Sequence, residues 1–275
     1  MNSSTLKIAI STCPNDTFAF AAILDGRVQS EKVKLDIWLG DISELNERLV
    51  GEAFDVGKAS YAALATVADR WSILPVGSAL GYGNGPLLLT GSRGASLHSQ
   101  GEVDFELEKP PRVLCPGELT TATYLMRRFY PEFEIEHAVF SEIMPAVQSG
   151  EVEYGVCIHE GRFTYQEQGL DCVADLGQKW HEAVGGPLPL GGLFASVDLD
   201  DELIEEARGL IARSLELARQ DPQSALPMMR QHAQEFDDEV LMRHVDLYVN
   251  EETAGLTSSG RGAISAMMDA RFWAV

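Results

Sequence analysis

Basic residues are scarce in this chain. Its 275 residues carry 42 acidic side chains against 21 basic ones, for a net charge of −21, and only six are lysines. A nucleic-acid or anionic-membrane surface needs a basic footprint for phosphate contacts, so this balance argues against either as a general partner. It leaves room for a small anionic ligand held by local donors inside a cleft. Cysteine is also sparse. Cys13, Cys115, Cys157 and Cys172 have irregular spacing and form no C-x-x-C pair, which suits reduced, mostly buried thiols better than a disulfide framework. No apolar run approaches the length of a membrane span, about 20 residues. The start, MNSSTLKIAISTC, lacks a basic segment followed by an apolar core, so no signal peptide is read there and a cytoplasmic protein is expected. No internal repeat, GxGxxG frame or P-loop frame is present, and an HExxH zinc helix would need histidine where the chain has Phe163.

What is present is a folded α/β pattern. Hydrophobic residues make up 45% of the chain, enough for one large or two modest domains. Leu6–Ser11, Val33–Trp38 and Phe54–Gly57 read as strands, alternating with helices over Thr17–Leu24, Ile42–Val50 and Tyr61–Ala68. That rhythm predicts parallel strands with crossover helices. Asn15 or Asp16 is a candidate cap for the first helix, and Asp41 with Glu44 makes a capping box for the second. Lys58, Ala59 and Ser60 fall at the end of the third strand. Ser72–Val76 and Leu87–Thr90 are further strands, separated by the glycine-rich Gly81–Pro86, and the polar stretch 92–111 reads as a loop or edge hairpin.

A second α/β unit follows. Arg112–Cys115 is a strand, and Thr120–Phe129 is a helix whose start offers hydroxyls and unsatisfied N–H groups. Such a start suits a carboxylate or phosphate, and ordinary threonine capping explains it equally well. Glu134–Phe140 is a strand, and Ser141 is placed to cap helix Glu142–Ser149, which Gly150 closes. Gly185–Gly192 reads as the return crossing before strand Leu193–Ser196. Helices Asp201–Gln220, Pro222–Gln231, Asp238–Val249 and Ser259–Met268 end the chain.

The stretch 153–165, EYGVCIHEGRFTY, is the centre of this pattern. Tyr154–Ile158 is a short apolar run of β-formers, and His159, Glu160, Gly161 and Arg162 come where a strand should yield to a loop. Ligands of open α/β sheets sit at such carboxyl ends. An imidazole there is a candidate base, and a hydrogen-bonded structural histidine is the other reading. Arg162 is placed either to orient His159 or Glu160 or to form a salt bridge. Asn15, Asp16 and Thr17 either line a cleft or only cap their helix.

Two α/β units entered once and left once predict a two-lobed clamshell with a helical tail. The first lobe is expected over 1–90 plus 193–275 and the second over 91–192. Lys58–Ser60, Thr120–Ala122 and His159 then converge on the cleft between them.

The motifs STCPNDTFAF (11–20), GKASYAA (57–63), PGELTTATYL (116–125), GVCIHEGRFTY (155–165) and GGPLPLGG (185–192) resemble those of the 1,4-dihydroxy-6-naphthoate synthases of the futalosine route to menaquinone. The resemblance implies a fold like that of type II periplasmic binding proteins. It also implies a lyase that converts cyclic dehypoxanthine futalosine to 1,4-dihydroxy-6-naphthoate, without a metal or organic cofactor. The family's catalytic histidine falls on His159, and its substrate contacts fall on Lys58, Ala59, Ser60, Thr121 and Ala122. The competing classes are a non-catalytic solute-binding protein and a chorismate dehydratase of related fold. A transcriptional effector-binding domain is a third, for which no basic recognition helix is evident.

Overall fold

The computed structural model describes residues 5–91, 110–159, 161–233 and 237–268. Glu160 and all but the last two residues of the polar stretch 92–111 lie outside them. Eleven strands appear among the described residues: β1 (Thr5–Ser11), β2 (Lys34–Gly40), β3 (Val56–Ser60), β4 (Trp71–Ile73), β5 (Ala79–Gly81), β6 (Leu87–Thr90), β7 (Arg112–Cys115), β8 (Glu134–His137), β9 (Tyr154–Cys157), β10 (Asp171–Asp175) and β11 (Leu188–Ser196). They form two sheets. The first runs β2-β1-β3-β11-β4, with β5 also on β11, and the second runs β10-β6-β9-β7-β8.

The β-α-β rhythm yields the parallel pairs it predicts. β1 is parallel to β2 and β3, and β7 is parallel to β8 and β9, while β11 returns antiparallel along β3, β4 and β5. The expected lobe boundaries cut this pairing. β6, assigned to the first lobe, pairs with β9 and β10 of the second sheet, and β11 begins at Leu188, not Leu193. The chain therefore changes sheets between Gly81 and Leu87 and again between Asp175 and Leu188. Pairing partners, invisible in the local pattern, set these positions.

Several local readings shift for equally physical reasons. The first helix is Pro14–Leu24, with Cys13 at its N-cap and no side-chain cap, so Asn15 and Asp16 lie inside its first turn. Pro14 suits that first position, where the missing N–H would be unsatisfied anyway. β3 runs on through Lys58, Ala59 and Ser60 instead of ending before them. Its Gly191–Gly192 partners on β11 allow this, because a side chain at Gly192 would lie 2.6 Å from Tyr61 Oη. Helix Phe140–Ser149 begins before Ser141, with Val139 as an uncapped N-cap. The Asp41–Glu44 capping box forms as expected.

One hydrophobic cluster joins the two sheets, from Ala9, Leu45 and Tyr61 to Leu125, Tyr154 and Trp180. The other face of the first sheet packs on helices Pro14–Leu24, Asp201–Gln220, Leu226–His232 and Asp238–Tyr248. Helix Pro14–Leu24 is buried along nearly its whole length, which explains a sequence, PNDTFAFAAIL, with so little polar surface. No described helix is long and apolar enough to cross a membrane.

Candidate active site

A cleft with a cavity of about 100 Å³, open to solvent, lies where strand ends of both sheets meet. A concave site in that position is where small-molecule ligands are bound in α/β folds. Its floor and walls carry Ser11, Lys58 and Ser60 from the first sheet, Thr121 and Ala122 from the helix after β7, and His159 after β9. Helix Asp238–Tyr248 adds His244 and Tyr248. Ala59 does not reach the cleft, since strand alternation turns it into the fully buried core.

His159 lies two positions beyond Cys157, the last residue of β9, and has φ of +59°. Among the described residues only Glu52 shares a positive φ without being glycine. The left-handed conformation costs an L-residue about 1–2 kcal/mol, so the surrounding structure must hold it there. Two contacts do so on the ring. Phe140 meets it edge-on at 4.7 Å between centroids, and Cys13 Sγ lies 3.1 Å from Nδ1 and 3.5 Å from Nε2. The sequence expectation of a loop histidine is met, while the thiol beside it was not foreseen.

Lys58 is buried and ion-paired. Its Nζ lies 2.7 Å from Asp16 Oδ1 and donates to the Gly77 carbonyl at 2.8 Å. Asp16 is further satisfied by the Ser11 hydroxyl and, at 2.8 Å, by Asn15 Nδ2. The CPND segment thus does more than start a helix, because its carboxylate neutralises the lysine. Arg162 is paired too. It donates to the Gly85 carbonyl and to Asp175 Oδ2, both at 2.6 Å, which realises the salt-bridge reading. Burial and this carboxylate act on it in opposite directions, and its pKa ends above the usual arginine value.

Ser60 Oγ accepts from Asn46 Nδ2 at 3.1 Å, which leaves its own O–H to donate. Asn46 also receives the Ser60 N–H at 2.8 Å and donates to the Leu119 carbonyl at 3.2 Å. It therefore ties β3 to the turn before the second-sheet helix. The signal for Asn46 was a lone amide on the buried stripe of Leu45 and Leu49. Thr120 caps helix Thr121–Phe129 through Thr123 N. Thr121 Oγ1 donates to the Leu190 carbonyl at 2.9 Å, so its proton is already committed. The backbone N–H groups of Thr121 and Ala122 have no intrahelical acceptor at a helix start and can receive an anion.

His244 is a further cleft residue that sequence reading missed. It is 2% exposed, and burial pushes its pKa down to about 3, with the His159 charge adding to the effect. Its signal was a histidine within the apolar stripe Leu241, Val245 and Tyr248.

Residues 6–271 match a family model described as menaquinone biosynthesis. The chain belongs to that family. A curated 1,4-dihydroxy-6-naphtoate synthase of Streptomyces coelicolor is 40% identical over 98% of this chain and 93% of its own. One of the same name from Thermus thermophilus is 40% identical over 95% and 92%. A Candida albicans protein with the generic periplasmic binding protein fold superposes with TM-score 0.69 at 11% identity, over 98% of this chain and 89% of that one. This last likeness concerns fold alone. It agrees with an α/β architecture of two sheets and a helical tail. In this member of the menaquinone biosynthesis family, the motifs CPND, KAS, TTA and IH all reach the shared cleft, Pro14 and Ala59 excepted.

Proposed function

We propose that this protein is a carbon–carbon lyase that converts cyclic dehypoxanthine futalosine to 1,4-dihydroxy-6-naphthoate, with His159 as general base. The observation that carries this reading is a strained imidazole held in the cleft that the Thr121 helix start also lines. The names of the two relatives support the same assignment. An imidazole at neutral pH has a lone pair to take a hydroxyl proton. As that proton leaves, the O–H electrons form the carbonyl of the departing fragment. The electron pair of the broken carbon–carbon bond enters the ring system, which becomes aromatic.

The substrate carboxylate needs a partner that is not already neutralised. Lys58 and Arg162, the cations lining the cleft among the described residues, each face a carboxylate. The N–H groups of Thr121 and Ala122 therefore take the carboxylate, assisted by the Ser60 hydroxyl, and Lys58 keeps Asp16 and its neighbours in place. Ala59, turned into the core, only continues the strand between Lys58 and Ser60. We further assign a closing motion to two lobes, one built on each sheet, that excludes water from the departing fragment. No metal or organic cofactor enters these steps.

The test is a mass-spectrometric assay of purified protein with cyclic dehypoxanthine futalosine, with His159→Ala alongside. Wild type is expected to release dihydroxynaphthoate and the variant is not. Product from both proteins would remove His159 as the base. Binding without turnover by wild type would make the protein a solute binder.

A further inference from the structure

The hydrogen bonds around His244 fix its tautomer. Asp16 is a carboxylate and only accepts, so the Asn15 atom 2.8 Å from it is the amide nitrogen. The Asn15 oxygen then faces His244 Nε2 at 3.1 Å and must accept from it. His244 therefore carries its proton on Nε2, and Nδ1 holds a lone pair. That Nδ1 is buried and has no hydrogen-bond partner. A buried acceptor without a partner costs about 1–3 kcal/mol, and a residue lining a ligand cleft can recover this when the ligand arrives. The ring stays neutral through ordinary pH because burial depresses its pKa to about 3.

We propose that His244 is a substrate-contacting residue whose Nδ1 accepts a hydrogen bond from a substrate hydroxyl, in a tautomer set by the Lys58–Asp16–Asn15 chain. The assignment rests on the reaction given above, in which the reacting hydroxyl must face His159. His244 lies 6.4 Å from His159 between ring centroids, far enough to address a second hydroxyl of the same fragment. His159 takes a proton, whereas His244 only orients.

Three variants separate this role from a structural one. Asparagine at 244 restores an acceptor where Nδ1 was, and glutamine restores a donor where Nε2 was, so the ligand contact is rescued by His244→Asn and the Asn15 contact by His244→Gln. With cyclic dehypoxanthine futalosine, His244→Phe is expected to raise KM about tenfold, with His244→Asn recovering most of it and His244→Gln little. Substrate analogues lacking one hydroxyl each extend the test. One of them should lose about tenfold on wild type and nothing further on His244→Phe. Nitrogen-15 NMR of the wild-type ring should show Nε2 protonated, which keeps the test open if a variant fails to fold. Protonation on Nδ1, rescue by His244→Gln alone, or equal handling of every analogue by wild type would overturn the proposal. Absence of wild-type turnover would instead remove the reaction on which it rests.

Discussion

Asp16 and Lys58 meet at 2.7 Å with both side chains almost wholly buried, joining the first helix to the middle of β3. The pair is a site component and a structural one together. A buried ion pair is held by its geometry, and removing one partner strands the other charge.

Lys58→Met should therefore lower unfolding stability by about 3 kcal/mol, and Asp16→Asn by a similar amount. Urea denaturation measures both. The Lys58→Met, Asp16→Asn double variant should lose less than the sum of the singles, because neither leaves an unpaired charge behind. Additive losses would show that the two side chains do not interact as the structure has them.

The positive φ of His159 gives a stability order opposite to the usual one. His159→Gly relieves backbone strain that His159→Ala retains, so the glycine variant should be the more stable of the two by about 1 kcal/mol. Both should be inactive. Thermal unfolding decides, and an alanine variant equal to or above the glycine variant would place residue 159 outside the left-handed region.

His244 imposes a pH slope. Between the ordinary imidazole value of 6.5 and about 3, the unfolded ring holds a proton that the native ring does not. Stability therefore rises with pH through this window and is lost as pH falls, by roughly 1.4 kcal/mol per unit. Comparing wild type with His244→Phe between pH 5 and 6.5 isolates the contribution, and the variant's curve should be flatter. Parallel curves would mean that His244 is solvated in the native protein.

Thr121 donates its hydroxyl to the Leu190 carbonyl and offers the ligand only its backbone. Thr121→Val should cost about 1 kcal/mol of stability and change KM less than threefold. A tenfold rise in KM at unchanged stability would put the hydroxyl on the substrate instead.

Much of the architecture was legible because its causes are local. The capping box at Asp41 and Glu44, the left-handed Gly150 that ends its helix, and the short apolar runs of β1 and β7 need only their neighbours. His159 at a strand's end and the start of the Thr120–Phe129 helix stood out from the residue pattern itself, and the resemblance of the motifs added the roles expected of them. β3 was misread as too short because Lys58 and Ser60 are polar residues that look like a strand's end. They remain in the strand because Asp16 and Asn46, from other elements, satisfy them inside the core.

The sequence by itself determined the alternating α/β order, the helical tail and the kinds of residue available for chemistry. Tertiary structure alone decided their roles. Cys13 reaches His159 across 146 positions and Asn15 reaches His244 across 229. Contacts at such separations leave no periodic trace in the chain, since they depend on where sheets and helices finally pack. Whether a lysine is a free cation or a neutralised strut, and whether a buried histidine donates or accepts, is settled by those distant partners.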